Sequence, residues 1–294
     1  MNKIALLGPK GTFTDVAYIE YKNMYDDILS NYKVIYCKSI DDVVFDVNKE
    51  AIIGIVPIEN TLDGYVQRTL DLLLEEDMFI IDEITVPVNF NLIANCNSIE
   101  EIKNVYVQFK AAGQCRKILK ELTDAMVTTT NSNMESFYKL DSNIYTDAAI
   151  VPMHIKDDSK LNILNVADSQ NNYTRFLVIT KKDRLESQYS EFLNKLNKNG
   201  DYNKVRFNVC ILPEHDRPGL LFDILRSIND NMINMVSIMS RPTKTDLGTY
   251  NFFIEMESSI KDEEIILNTL KDIKKHNSYY VDIKVLGKYY LKKI

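Results

Sequence analysis

Two rhythms share this chain, and the change from one to the other near residue 204 constrains the fold more than any other feature. Up to Thr180, short apolar runs alternate with helix-period stretches. Ile4–Leu7, Val34–Tyr36, Ile52–Ile58, Val105–Val107, Ala125–Thr128, Ala148–Val151, Leu164–Val166 and Arg175–Thr180 read as strands. Helices are expected after Thr14 as N-cap, from Ser39 to about Asn48, over Val66–Leu74 and Ala111–Leu122, and from the polar stretch ending at Asn133 to Leu140, with Ser98 capping a short one. Such alternation is the pattern of a mostly parallel sheet covered by helices. The extended run Phe79–Ala94 restarts the pattern, so this half divides again.

From Val205 the order becomes Val205–Leu212 (strand), a helical stripe of Leu220, Leu221, Ile224, Leu225 and Ile228, strands Ile233–Met239 and Tyr250–Met256, a helix Glu263–His276 and a strand Tyr279–Val285. That is the ferredoxin-like βαββαβ unit. Turns are expected at Asp216–Gly219 and Asp246–Gly248. Lys181–Lys204 is polar, with a weak stripe at Tyr189, Phe192, Leu193 and Leu196, and reads as a linker carrying one helix.

Charge and cysteine usage narrow the function. With 35 basic and 42 acidic residues the net charge is −7, which disfavours a nucleic-acid partner. The first apolar run is too short for a signal-peptide core, and no segment approaches the ~18 apolar residues of a membrane span. A cytoplasmic protein is therefore expected, and a secreted solute-binding protein is not. Cys37, Cys96, Cys115 and Cys210 show no C-x-x-C spacing and read as free thiols; His154, His215 and His276 stand alone. No metal motif and no Ser-His-Asp signature is visible.

Four loops could carry chemistry. Gly8-Pro-Lys-Gly-Thr-Phe-Thr14 joins a strand to a helix N-terminus, where an anion is favoured, or is only a tight turn. Pro57-Ile-Glu-Asn-Thr-Leu-Asp-Gly64 lies at a strand's C-terminal end; it offers Glu59, Asn60 and Thr61 to a ligand, or caps a helix. In Asn171-Asn-Tyr-Thr-Arg-Phe176, Thr174 can donate and Arg175 can fork onto a carboxylate, unless this is a surface strand start. Because neighbours on a strand diverge, both reach one pocket only where the backbone is irregular. The fourth loop is Arg217-Pro-Gly-Leu-Leu221, with Asn234 and Ser240-Arg-Pro242 bounding the next strand.

In this order the four loops, with Thr69-Leu-Asp-Leu-Leu, Asp168 and Asn172, resemble the prephenate dehydratase family with a C-terminal ACT regulatory domain, over essentially the whole chain. The resemblance implies a two-lobed catalytic domain, like a type 2 periplasmic-binding protein, at residues 1–181, with chain crossings near 78 and 168. A linker over 182–203 and an ACT domain over 204–294 follow. It implies decarboxylating dehydration of prephenate to phenylpyruvate in phenylalanine biosynthesis, without cofactor or metal, fed back upon by L-phenylalanine in a homodimer or homotetramer. Thr174 matches the family's essential threonine; Thr12, Glu59, Asn60, Thr61, Arg175 and Phe176 match its substrate site. Gly219, Leu220, Leu221, Asn234, Ser240, Arg241 and Pro242 match its effector site.

The chain also departs from the family. Glu-Asn-Ser is here Glu59-Asn-Thr61, Ser-His-Pro-Gln-Ala is Val107-Gln108-Phe109-Lys110-Ala111, the histidine after Leu-Pro-Ile is Asn89, and the Glu before Ser-Arg-Pro is Met239. Arogenate dehydratase and a catalytically impaired amino-acid sensor are the alternatives; a chorismate mutase fusion is not expected.

Overall fold

The computed structural model describes residues 2–142, 144–186, 202–215, 217–245, 247–277 and 280–292. The linker stripe at Tyr189, Phe192, Leu193 and Leu196 falls outside the described residues, as do Asp216 and Asp246 of the two expected turns and Tyr279 at the start of the last expected strand. In chain order the first elements are β1 (Lys3–Leu7), α1 (Phe13–Met24), α2 (Asp26–Leu29), β2 (Lys33–Cys37), α3 (Ile40–Lys49), β3 (Ile53–Asn60), β4 (Gly64–Tyr65), α4 (Gln67–Glu75) and β5 (Met78–Pro87). Next come β6 (Phe90–Ala94), β7 (Asn104–Gln108), α5 (Phe109–Gln114), α6 (Arg116–Glu121), β8 (Met126–Thr130), α7 (Asn133–Tyr138), β9 (Asp147–Pro152), β10 (Leu161–Ile163) and β11 (Tyr173–Lys181). The last are β12 (Tyr202–Pro213), α8 (Leu220–Asp230), β13 (Asn234–Pro242), β14 (Tyr250–Ser259), α9 (Glu263–His276) and β15 (Val281–Lys292).

One compact unit comprises Met1–Asp46, Ile55–Val66 and Ile84–Phe176. It holds two lobes. In the first, strands lie in the order β5-β11-β3-β1-β2, with β4 folded back on β3. Ile4, Ala5 and Leu6 are fully buried and β1 runs parallel to β2, which is why this strand reads as an unbroken apolar run rather than an alternating one. The second lobe is the five-stranded sheet β10-β6-β9-β7-β8. Its strand β7 is parallel to β8 and β9, but β6 is antiparallel to β9 and β10 to β6, so this sheet is mixed where a mostly parallel one was expected. Its core is Phe90, Leu92, Val105, Val107, Ile118 and Ile150 with their neighbours.

Three local expectations are corrected here. The strand expected at Leu164–Val166 lies at Leu161–Ile163, because Asn165 takes a left-handed φ of 60° and its N–H donates to Asn91 Oδ1 at 3.0 Å. The single helix expected over Ala111–Leu122 is two. The Asp168 carboxylate accepts the N–H groups of Arg116 and Lys117, both at 2.9 Å, and so caps a fresh helix start after Cys115. The chain crosses from the first sheet to the second between Pro87 and Phe90, beyond residue 78, because Met78–Pro87 stays in the first sheet as β5.

The other unit comprises Val47–Gly54, Gln67–Glu83 and Leu177–Ile294. Its sheet runs β13-β14-β12-β15-β5, with helices between strands in the βαββαβ order. Val205, Phe207, Val209 and Ile211 alternate inward from β12 onto Ile224 and Ile228 of α8 and Ile266, Leu270 and Ile273 of α9. Each such buried side chain is worth about 1.5–3 kcal/mol. On the other face Arg206 donates twice to Glu83, at 2.7 and 2.9 Å, and once to Glu257 at 3.0 Å; the Tyr289 hydroxyl donates to Glu83 at 2.9 Å. A Cβ on Gly287 would lie 2.5 Å from Ile80 Cβ, so only glycine lets β15 pair with β5 at this point. Among the described residues no helix is long and apolar enough to cross a membrane.

Candidate active site

A cavity of about 370 Å³ opens between the two lobes of the first unit. Its apolar wall comes from Phe13, Ile40, Val66, Val88, Phe90 and Phe176. Phe13 meets Phe90 edge to face at 5.5 Å between centroids, so residues from the two lobes interlock. The polar lining comes from Thr12, Asn60, Asp63 and Thr174 on the first lobe and Gln108, Lys110, Gln114 and Asn133 on the second.

Asn60 sits at the end of β3, where a tight turn leads into β4. Its Oδ1 accepts the N–H groups of Leu62 and Asp63, each at 3.0 Å. This Asx turn leaves its NH₂ facing inward. That group donates to Thr174 Oγ1 at 2.9 Å, to Asn172 Oδ1 at 2.8 Å and to the Tyr173 carbonyl at 3.1 Å. Asn172, fully buried, passes the pattern on: its Nδ2 donates to Gln114 Oε1 at 2.9 Å, and Gln114 Nε2 donates to Asp63 Oδ2 at 3.3 Å. A carboxylate only accepts, and the turn's backbone N–H groups only donate, so the string of amides has one direction. Thr174 Oγ1 accepts from Asn60, and its own hydrogen is left for the cavity.

The expected site residues divide by strand parity. Thr12, Asn60, Thr174 and Phe176 line the cavity. Arg175, the neighbour of Thr174 on regular β11, points the other way and donates to Glu59 Oε2 at 3.0 Å, so that pair stands off the cavity. Both Thr174 and Arg175 lie within β11, where neighbouring side chains diverge. Thr61 ties the turn to β11: its hydroxyl donates to the Asn171 carbonyl at 3.1 Å and accepts the Tyr173 N–H at 3.0 Å.

In the first loop the N-cap of α1 is Thr12, not Thr14, and the Thr12 hydroxyl donates back to the Leu7 carbonyl at 3.3 Å. The Gly11 N–H donates inward to Asp15 Oδ2 at 3.0 Å, so it is not offered to an anion. With a φ of 87°, Gly11 takes a conformation that other residues rarely adopt, and a Cβ there would lie 2.7 Å from Met134 Sδ. His154 Nε2 donates to the Gly11 carbonyl at 3.0 Å, and burial lowers its pKa, which keeps the ring neutral.

Sequence reasoning did not assign Asp63, Gln114, Lys110 or Asn133 to the site. The Oδ1 of Asn133 is buried with no hydrogen-bond partner, an acceptor free for a ligand. Among the described residues no cluster of His, Cys, Asp or Glu could hold a metal.

The expected effector residues fall at two ends of the second unit's sheet. Gly219, with a φ of 83°, is the N-cap of α8 and leads directly into Leu220 and Leu221. The register of β12 with β14, and of β14 with β13, puts that end of the sheet beside Ser240–Pro242. Asn234 starts β13 at the opposite end, about 20 Å away at the rise of an extended strand. Its Nδ2 donates to Glu257 Oε1 at 3.0 Å. Arg241 is engaged within the chain: Nε and Nη2 donate to Asp71 Oδ1 and Oδ2 on α4, at 3.0 and 2.9 Å. Burial is the strongest influence on Asp71 and pushes its pKa up, yet Arg241 and Lys244 together hold it below the usual carboxylate value.

All four cysteines are free thiols and buried. Burial, then the nearby Asp168 charge, pushes Cys115 up to about 12; burial does the same to Cys37 and Cys210. Thiolate is therefore scarce at neutral pH. Because the folded value is raised, the stability contribution of each thiol is complete below about pH 9 and is lost as pH rises toward 12. Iodoacetamide at pH 8 should leave Cys37, Cys115 and Cys210 unmodified in the folded protein and label them after denaturation; native labelling detected by peptide mass spectrometry would contradict their burial.

The chain is similar to known proteins in sequence and in fold. The family model described as prephenate dehydratase matches residues 4–184. A bifunctional chorismate mutase/prephenate dehydratase of Aquifex aeolicus is 35% identical, over 98% of this chain and 73% of its own. A prephenate dehydratase of Methanocaldococcus jannaschii is 33% identical over 98% of both chains. A crystal structure of prephenate dehydratase in complex with L-Phe, from Arthrobacter aurescens, superposes with a TM-score of 0.77 at 25% identity, covering 98% of this chain and 89% of that one.

Proposed function

Because the chain belongs to the prephenate dehydratase family, we propose that the interlobe cavity is where prephenate loses water and carbon dioxide, with Thr174 as the donor to the departing hydroxyl. One observation carries this assignment. Asn60 donates to Thr174 Oγ1 at 2.9 Å, which leaves the threonine hydrogen available to whatever fills the cavity.

The chemistry follows from the substrate. Prephenate carries two carboxylates and a ring hydroxyl opposite the one that leaves as CO₂. Loss of both groups makes the ring aromatic, which drives the reaction. The C–O bond breaks with negative charge developing on oxygen as the C–C bond to the carboxylate supplies electrons to the ring. A threonine hydroxyl is a poor acid, so it acts by hydrogen bonding to that oxygen in a water-poor cavity, where such a donor is worth more than in water. Phe13, Phe90 and Phe176 line the cavity and offer the ring an apolar wall. Arg175, paired with Glu59 off the cavity, orients β11 and β3 rather than touching substrate.

The catalytic region is proposed as residues 1–181, followed by a linker over 182–203 and a regulatory region over 204–294 that binds L-phenylalanine. Gly219–Leu221 and Ser240–Pro242 lie at one end of its sheet and Asn234 at the other, so a site built from all of them requires a second copy of the chain. The outermost strand β13 supports this: it exposes Met235, Val236 and Ile238 along an edge of the sheet.

Purified protein mixed with prephenate should yield phenylpyruvate, read by its alkaline absorbance, and L-phenylalanine should suppress the rate. Absence of product at high enzyme concentration would overturn the catalytic reading.

A further inference from the structure

We infer that Lys110 is the counter-ion that receives a carboxylate of the substrate, and so a specificity-determining residue of this cavity; the inference rests on the reading given under Proposed function. The lining of the cavity is mostly apolar or uncharged. Among the described lining residues, Lys110 is the one cation and Asp63 the one anion. The other nearby basic groups are committed elsewhere. Arg175 is paired with Glu59, and the neutral ring of His154 donates to the Gly11 carbonyl.

Local structure aims Lys110 at the cavity. It stands in the first turn of α5, and its backbone N–H donates to Oε1 of the N-cap residue Gln108 at 2.8 Å. The root of the side chain is thereby fixed, while its side chain remains 63% exposed. Its Nζ lies 3.9 Å from Asp63 Oδ2, at the outer limit of an ion pair. A carboxylate entering the cavity can therefore take up the ammonium without breaking a tight pair. Asp63 meanwhile keeps the hydrogen bond from Gln114, at 3.3 Å, that anchors the amide string. A dianion entering an apolar cavity needs such a charge, since an unpaired carboxylate there loses its hydration without replacement. A neutral side chain at this position, such as the glutamine of the family motif, would offer dipoles only.

The test compares Lys110→Met and Lys110→Arg with the unaltered protein, in steady-state kinetics with prephenate at several salt concentrations. In Lys110→Met, KM should rise about tenfold, equivalent to about 1.4 kcal/mol, with the change in kcat much smaller. Lys110→Arg, which keeps the charge, should stay close to the parent. The parent KM should climb as NaCl is raised from 50 to 500 mM, and that climb should be largely lost in Lys110→Met. An unmoved KM in Lys110→Met overturns the inference, as does a loss confined to kcat. A parent KM independent of salt overturns it without recourse to any variant. Turnover by the parent is the separate measurement that decides the catalytic reading itself.

Discussion

Prephenate turnover by Thr174→Ala is expected to fall about 10²–10³-fold, the loss of one well-placed donor to a developing oxyanion, equivalent to about 3–4 kcal/mol of transition-state stabilisation. The effect should appear in kcat, since the hydroxyl becomes a strong acceptor only as the C–O bond breaks. Thr174→Ser retains the donor and should lose no more than about tenfold. Folding should be unaffected: the side chain is only partly buried, and the Asn60 amide keeps its bonds to Asn172 and the Tyr173 carbonyl. Circular dichroism and calorimetric binding of L-phenylalanine serve as controls. A normal kcat for the alanine variant would remove Thr174 from the mechanism.

Arg241→Ala should destabilise the protein by about 2 kcal/mol, or about 5 °C in Tm, because it leaves Asp71 largely buried with Lys244, at 3.1 Å, as its remaining partner. The value sits between an exposed and a fully buried pair, as the geometry does: the fork is bidentate and the side chains are 16% and 13% exposed. The double variant with Asp71→Ala should be less destabilised than the sum of the single changes, by at least about 1 kcal/mol. The pH dependence has a definite sign. Asp71 is held below its ordinary value of 3.8, so its contribution is intact at neutral pH and is lost as acidification carries it through its folded value. An Arg241→Ala variant with unchanged Tm and abolished L-phenylalanine binding would show instead that this guanidinium serves the ligand.

The rhythm of apolar runs made most strands legible, because burial on both faces leaves a direct mark on composition: Ile4–Leu6, Val105 and Val107, and Ala148–Val151 all emerge fully buried. The same reasoning placed β12, α8 and α9. It failed where a distant side chain overrides local preference. Asp168 splits a helix-period stretch at Cys115, and nothing near residue 115 announces that carboxylate. Thr12 rather than Thr14 starts α1, since two threonines on either side of Phe13 are equivalent N-cap candidates until the loop's own bonds distinguish them.

The candidate site shows the same division. Thr174 and Asn60 could be found from their motifs, but the run from Asn60 through Asn172 and Gln114 to Asp63 joins residues separated by 112, 58 and 51 positions. Likewise Arg241 stands in the effector site by resemblance of its motif, whereas its pairing with Asp71, across 170 positions, leaves no local sign in the sequence.

The Asn60 turn sets a limit on what evolution can put at that position. Aspartate has nearly the same outline and would still satisfy the two backbone groups of the turn. Yet it brings oxygen where nitrogen stood, and the arrow between the two side chains would reverse: the threonine would give its hydrogen to its neighbour and keep none for the reaction. Exchanging a single NH₂ for an oxygen, with scarcely any change of shape, would turn a loaded hydroxyl into a spent one.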